Sequence, residues 1–155
     1  MFRDITTILE NPQAFRYCID QFKQQYQNKG ITKIVSIESR GFIFGAVLAV
    51  ELALPLVLVR KKGKLPAATF AQEYNLEYGA GVLEIHQYSL TPQDRVLVID
   101  DLCATGGTAL AACQLAEKAG ALVEEVAFVV NLPDLQGTEK LARYHPFFLV
   151  AFSGE

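Results

Sequence analysis

The chain has 155 residues, 51% of them hydrophobic and 20% charged, with a formal net charge of -3 at pH 7. That length suits one domain able to bury a core without disulfide or metal staples, and the mild negative charge gives no electrostatic case for a nucleic-acid partner. No apolar run is long enough to cross a bilayer, and Met1-Phe2-Arg3-Asp4 leads into polar residues rather than a signal peptide. No membrane partner is therefore expected, and because Cys18, Cys103 and Cys113 form no CxxC pair, a reducing cytosol is.

Asn11-Pro12 offers an amide cap and a proline at the first helical position. Phe15, Cys18, Ile19, Phe22 and Tyr26 then recur at helical spacing as far as Gly30. Ile34 to Ile37 reads as a short strand ending at Glu38-Ser39-Arg40-Gly41, and Phe42 to Leu52 as a buried helix. Leu56 to Val59 is a second apolar strand. It runs into Arg60-Lys61-Lys62-Gly63-Lys64, a basic run that suits either a solvated face or a small polyanion. Pro66 to Gly81 has no clean period and is expected to form a long loop. Val82 to His86 alternates as a partly exposed strand does, and Thr91 to Asp94 is a turn.

Val96-Leu97-Val98-Ile99 is the most apolar β-branched run and predicts a central strand. A helix from about Thr108 to Ala119 follows, then a strand at Val126 to Val130, a short helix at Leu135 to Tyr144, and a last strand at Phe147 to Phe152. Strands buried on both faces and alternating with helices imply an α/β fold, a mainly parallel sheet flanked by helices, in a single domain over residues 1–155. His86 and His145 are expected to be surface or hydrogen-bonded residues.

The chemistry concentrates after the central strand, in Asp100-Asp101-Leu102-Cys103-Ala104-Thr105-Gly106-Gly107-Thr108. Such a strand delivers two acids to the carboxyl edge of the sheet, where open α/β folds place their ligands. The small residues after them let backbone N–H groups converge on an anion at a helix N-terminus, and Thr105 and Thr108 add hydroxyl donors. Carboxylates repel phosphate, so the acids should accept hydrogen bonds from another part of the same ligand, such as a sugar diol. A phosphate site beside a diol site describes a ribose 5-phosphate. A Walker B strand or a dinucleotide fold would need GxxxxGK[ST] or GxGxxG, and neither occurs. A purely structural β–α turn is the remaining alternative.

These residues resemble the phosphoribosyl pyrophosphate (PRPP) signature of the type I phosphoribosyltransferases, in the form carried by the adenine-specific branch. Glu38-Ser39-Arg40-Gly41-Phe42-Ile43-Phe44-Gly45 is similar to that family's pyrophosphate loop, which usually has Asp where this chain has Glu38. Arg60 to Pro66, followed by Tyr74-Asn75-Leu76-Glu77-Tyr78-Gly79, resembles its basic segment and mobile catalytic loop. The resemblance implies transfer of ribose 5-phosphate from PRPP to adenine, giving AMP and pyrophosphate.

By the same resemblance, Ala104, Thr105, Gly106, Gly107 and Thr108 would hold the 5-phosphate, and Asp100 and Asp101 the ribose hydroxyls. Ser39 and Arg40 would line the pyrophosphate site, with Arg60, Lys61 and Lys64 neutralising the diphosphate. Phe2, Arg3, Arg40 and Leu102 would contact adenine, and Glu77 would take a proton from its imidazole ring. The resemblance further implies Mg²⁺ carried mainly on PRPP oxygens with few direct protein ligands, a homodimer, and a lid over the cleft. Cys103 reads as filler. The segment from Met1 to Thr6 is similar to one that relatives carry well inside their chains, which implies a short N-terminal hood, weakened adenine binding and intact PRPP binding. Alternatives on the same fold are a transferase for another purine, a PRPP-binding regulator, or an inactive relic; Glu77 within its motif and the lack of room for a DNA-binding domain favour the enzyme.

Overall fold

The computed structural model describes residues 4–76 and 78–154. A short turn of helix, α1 (Thr6–Leu9), precedes α2 (Pro12–Tyr26), β1 (Lys33–Ile37), α3 (Gly41–Leu52) and β2 (Leu56–Lys61). Two paired strands follow, β3 (Thr69–Leu76) and β4 (Gly79–His86), and then β5 (Arg95–Cys103), α4 (Gly107–Lys118) and β6 (Leu122–Asn131). A broken segment containing the single-turn helix α5 (Gly137–Lys140) leads to β7 (Phe147–Ala151).

The strands form one seven-stranded sheet in the order β3-β4-β2-β1-β5-β6-β7. From β2 to β7 every pairing is parallel, whereas β4 joins β2, and β3 joins β4, in antiparallel fashion. The expected mainly parallel α/β architecture is what forms. Its apolar residues divide between two faces. On one, Phe22, Tyr26, Phe44 and Leu48 of α2 and α3 pack on Ile34, Leu97 and Ile99. On the other, Ala112, Cys113 and Leu115 of α4 pack on Val35, Val98 and Phe128. No described helix is long and apolar enough to cross a membrane.

Local chemistry accounts for the elements. The Asn11 carboxamide oxygen accepts from the N–H groups of Gln13 and Ala14, at 3.1 and 3.0 Å, with Pro12 opening the helix. Glu51 receives Arg16 at 2.8 Å and Lys23 at 3.3 Å, tying α3 to α2. The approach of α3 to β1 depends on Gly45, because a Cβ there would lie 2.5 Å from Ser36 Cβ and 3.2 Å from Ile99 Cγ2.

Two expectations fail. Pro66 to Gly81 is not a long loop, because most of it is built into the β3–β4 ribbon, paired from Thr69↔His86 to Leu76↔Gly79. Gly81, which looks like a loop signal, lies opposite Tyr74 with room for nothing larger than hydrogen: a Cβ there would sit 2.6 Å from the ring. Phe70 and Tyr74 supply the apolar side by packing against the α4 face of the core. Nor is Leu135 to Tyr144 one helix. It breaks into a 3-10 turn (Pro133–Leu135), α5 and a second 3-10 turn (Ala142–Tyr144), interrupted at Gln136, which adopts a left-handed φ of 58°.

At the amino edge of the sheet Asp94 binds three partners. Lys33 Nζ lies 2.9 Å from its carboxylate, and Thr91 N and Thr32 Oγ1 donate to it at 2.8 and 2.9 Å. Burial alone would push the Asp94 carboxyl up; the Lys33 ammonium, Thr91 and Thr32 outweigh it and hold the group below the usual carboxylate range. Asp94→Asn should therefore cost about 2 kcal/mol of stability near neutral pH. Because the folded-state pKa is depressed, the stabilisation is full above the unfolded value of about 3.9 and disappears as pH falls through the folded one. Urea melts at neutral pH and at about pH 3 should show the gap between wild type and variant closing in acid. Gly45→Ala, measured the same way, should lose about 1–3 kcal/mol through overpacking against Ser36.

Candidate active site

The carboxyl ends of β1 and β5 open into a cleft of about 410 Å³. Its lining includes Glu38, Ser39 and Arg40 from the β1–α3 connection, Lys61 from β2, and Tyr74 and Leu76 from the ribbon. Asp100 to Ala109, running from β5 through the small-residue loop into α4, complete the floor together with Phe128 and Leu83. The two segments that resemble a pyrophosphate loop and a PRPP signature thus face each other across one cavity.

Asp101 is 4% exposed, and Arg40 Nε stands 2.7 Å from its Oδ2. Asp101 N donates to Asp100 Oδ1 at 2.8 Å, so the Asp100 carboxylate is turned back along its own strand. The first residue of α3 presses on this pair, since a Cβ on Gly41 would lie 2.9 Å from Asp100 Oδ1 and 3.1 Å from Ile99 O. Burial, reinforced by the neighbouring Asp101 carboxyl, pushes the Asp100 carboxyl well above its ordinary range, and the Arg40 charge offsets only part of this.

Beyond Cys103 the chain turns through Ala104, Thr105 and Gly106, whose φ is 83°, and α4 begins at Gly107 with no side-chain cap. Gly107 and Thr108 line the cleft, so it abuts the partial positive charge that the free N–H groups of a helix start carry. Thr105 is exposed and Thr108 half-buried. Cys103 is 1% exposed, and burial pushes its thiol up to about 11, which leaves it an apolar filler rather than a nucleophile.

The basic segment divides. Lys61 reaches the cleft, while Arg60 and Lys64 are not among its lining residues and engage Glu38 instead. Arg60 Nε donates to Glu38 Oε1 at 3.0 Å, Lys61 N reaches the same oxygen at 3.4 Å, and Lys64 Nζ lies 3.7 Å from Oε2. Burial would raise the Glu38 carboxyl, but Arg60, the Lys61 N–H and Lys64 together hold it below the usual range. Glu38 thereby anchors two cations at the rim.

The ribbon roofs this arrangement. A Cβ on Gly107 would come within 3.5 Å of Asn75 O, and Lys118 Nζ of α4 donates to Ala71 O at 2.6 Å. Glu77, Phe2 and Arg3 lie outside the described residues. Leu83 and Phe128 are lining residues that pattern reading does not single out, because each sits inside a strand among residues of the same kind. Tyr74 opens the Tyr74 to Gly79 segment already singled out by its resemblance to a catalytic loop.

Comparison with known proteins agrees with this geometry. Residues 4–150 match the model of the phosphoribosyl transferase domain. The adenine phosphoribosyltransferase of Colwellia psychrerythraea is 50% identical over 157 residues, spanning 100% of this chain and 87% of that protein. The crystal structure of adenine phosphoribosyltransferase from Rhodothermus marinus superposes with a TM-score of 0.94 at 45% identity, covering 98% of this chain and 87% of that one. The Trypanosoma brucei adenine phosphoribosyl transferase, solved in complex with AMP, pyrophosphate and ribose-5-phosphate, gives a TM-score of 0.90 at 36% identity, covering 97% and 69%. With two acids, an uncapped helix start and a cation-bearing loop sharing one cleft, and identity at this level along its whole length, the chain belongs to the phosphoribosyltransferase family, in its adenine phosphoribosyltransferase branch.

Proposed function

We propose that the chain catalyses transfer of ribose 5-phosphate from PRPP to N9 of adenine, releasing pyrophosphate and forming AMP. The observation that carries this reading is the placing of Asp100 and Asp101 beside the uncapped start of α4 in a single cleft. Anion donors and diol acceptors lie together there, as a ribose 5-phosphate requires.

In this reading the backbone of Ala104 to Gly107, with the Thr105 and Thr108 hydroxyls, binds the 5-phosphate. Asp100 and Asp101 accept from the ribose hydroxyls and hold the sugar by its lower edge. Ser39, Arg40 and Lys61 face the leaving pyrophosphate, and Arg60 and Lys64, held by Glu38, supply positive potential from the rim. As the bond from C1 to pyrophosphate lengthens, negative charge grows on the departing oxygens, and these fixed cations stabilise it more than they stabilise the ground state. Leu102 packs on the adenine face, with Arg40, Phe2 and Arg3 completing the base site. Glu77 accepts the imidazole proton that adenine must shed. The ribbon bearing Tyr74 and Leu76 keeps water from the oxocarbenium-like ribose.

Among the described residues there is no group of three or more His, Cys, Asp or Glu able to cage a metal. The oxygen donors available suit Mg²⁺ that arrives on the diphosphate and keeps much of its water, held near Asp100 and Asp101. Bound there, it would supply further neutralisation of the leaving group. A homodimer is supported by α3, which is apolar apart from Glu51 and leaves Ile43 and Val50 36% and 81% exposed. A reducing cytosolic setting is supported by three buried, unpaired cysteines.

The direct test is AMP formation from adenine, PRPP and Mg²⁺. Glu77→Ala should bind PRPP normally and form AMP about 10²–10⁴ times more slowly; equal rates would remove Glu77 from proton transfer. Asp100→Asn should weaken AMP binding roughly tenfold or more, the scale of hydrogen bonds to a charged acceptor. Because the Asp100 carboxyl titrates above its ordinary range, wild-type affinity should begin to fall at a higher pH than an ordinary carboxylate would allow. The phosphate of AMP titrates equally in both proteins, so the Asp100→Asn curve isolates this effect by calorimetry across pH.

A further inference from the structure

The turn that resembles a 5-phosphate site is backed by a residue thirty positions downstream that nothing in its motif points to. A Cβ built on Gly137 would lie 2.3 Å from Ala104 O, 2.8 Å from Cys103 Sγ and 2.9 Å from Gly106 N. The contact is reciprocal: a Cβ on Gly106 would lie 2.7 Å from Gly137 O and 3.1 Å from its Cα. Two of the three atoms meeting Gly137 are backbone atoms of the turn itself, so no side-chain rotation relieves the overlap. Leu132 N donates to Cys103 O at 3.0 Å, and Leu141 and Tyr144 are buried against the α4 face of the core, so the segment carrying Gly137 cannot simply back away.

We propose that Gly137 is a positioning residue for the anion-binding turn: its bare Cα is the surface on which Ala104 to Gly106 is shaped. The left-handed Gly106 and the carbonyl direction of Ala104 set where the N–H groups at the start of α4 point. Any side chain at 137 pushes that backbone into the cleft and misaligns the donors. This inference rests on the assignment of the turn to the 5-phosphate. The pyrophosphate side of the cleft, at Ser39, Arg40 and Lys61, makes none of these contacts with Gly137. The defect therefore separates the two ends of PRPP, which a general loss of stability would not do.

The experiment is calorimetric titration of AMP and, separately, inorganic pyrophosphate into wild type, Gly137→Ala and Val126→Ala, the last a truncation of a buried β6 residue outside both the turn and the segment behind it. Gly137→Ala should weaken AMP binding by tenfold or more while changing pyrophosphate affinity less than twofold, and should raise the KM for PRPP far more than that for adenine. Val126→Ala should lower the melting temperature without separating the two ligands. If Gly137→Ala does not fold, Cys103→Ala/Gly137→Ala, which removes the sulfur clash and keeps the backbone one, is compared with Cys103→Ala alone and should show the same selective loss. Unchanged AMP affinity, or equal losses for AMP and pyrophosphate, overturns the role of Gly137 and leaves the proposed reaction standing. Wild-type protein that binds pyrophosphate but not AMP overturns the 5-phosphate assignment, and this inference with it.

Discussion

At the carboxyl edge of β5 the main chain is crowded by its neighbours more closely than side chains permit. Gly41 brings the start of α3 onto Asp100, and Gly106 and Gly137 meet with their backbones in contact. Around that edge are gathered the groups needed for an anionic sugar: acceptors on the strand, amide donors at the helix start, and cations on the adjacent connection. A parallel α/β sheet opens a crevice there by topology, but the close approaches turn a generic crevice into one with defined donor directions. Catalytic geometry of this kind tolerates displacements of only about an ångström before rates suffer.

The electrostatic design alternates sign over short distances. Asp101 pairs with Arg40, and Glu38 with Arg60 and Lys64. Each acid holds a cation in place, so that the positive charges are ordered before any ligand arrives. Fixed cations need no reorganisation as charge develops on a leaving group, which is the condition under which electrostatic stabilisation contributes most. In the proposed reaction Glu38 would serve by holding those cations, although it carries the same sign as the expected ligand.

Much of this was legible in the residues themselves. The Asn11 cap, the apolar run before Asp100 and the small-residue turn into α4 each rest on local chemistry that tertiary contacts reinforce, and they form where expected. The β3–β4 ribbon was hidden because Gly79 and Gly81 mimic loop signals. Gly81 is small because Tyr74 crosses it from the opposite strand, a cross-strand fact invisible along one strand. The break after Leu135 was hidden for a related reason, since Gly137 answers to a turn thirty residues away. The basic run was visible as composition, but its division between the cleft and Glu38 depends on which way successive residues of β2 point. What pattern reading missed is in each case a contact between different segments of the chain.

The ribbon over the cleft has a mechanical consequence. Its strands are paired along their full length and joined to the main sheet through Arg60↔Glu84 and Lys61↔Leu83. A free loop of that length would have to lose the conformational freedom of many residues on each approach to the substrate, at about 1–2 kcal/mol per residue. A prepaired arm carries no such burden: its place over the cleft is set by its root on β2, by Phe70 and Tyr74 against the core, and by the hydrogen bond from Lys118 to Ala71. Any opening of that roof would have to break those few contacts at its base and flank, not unfold the arm.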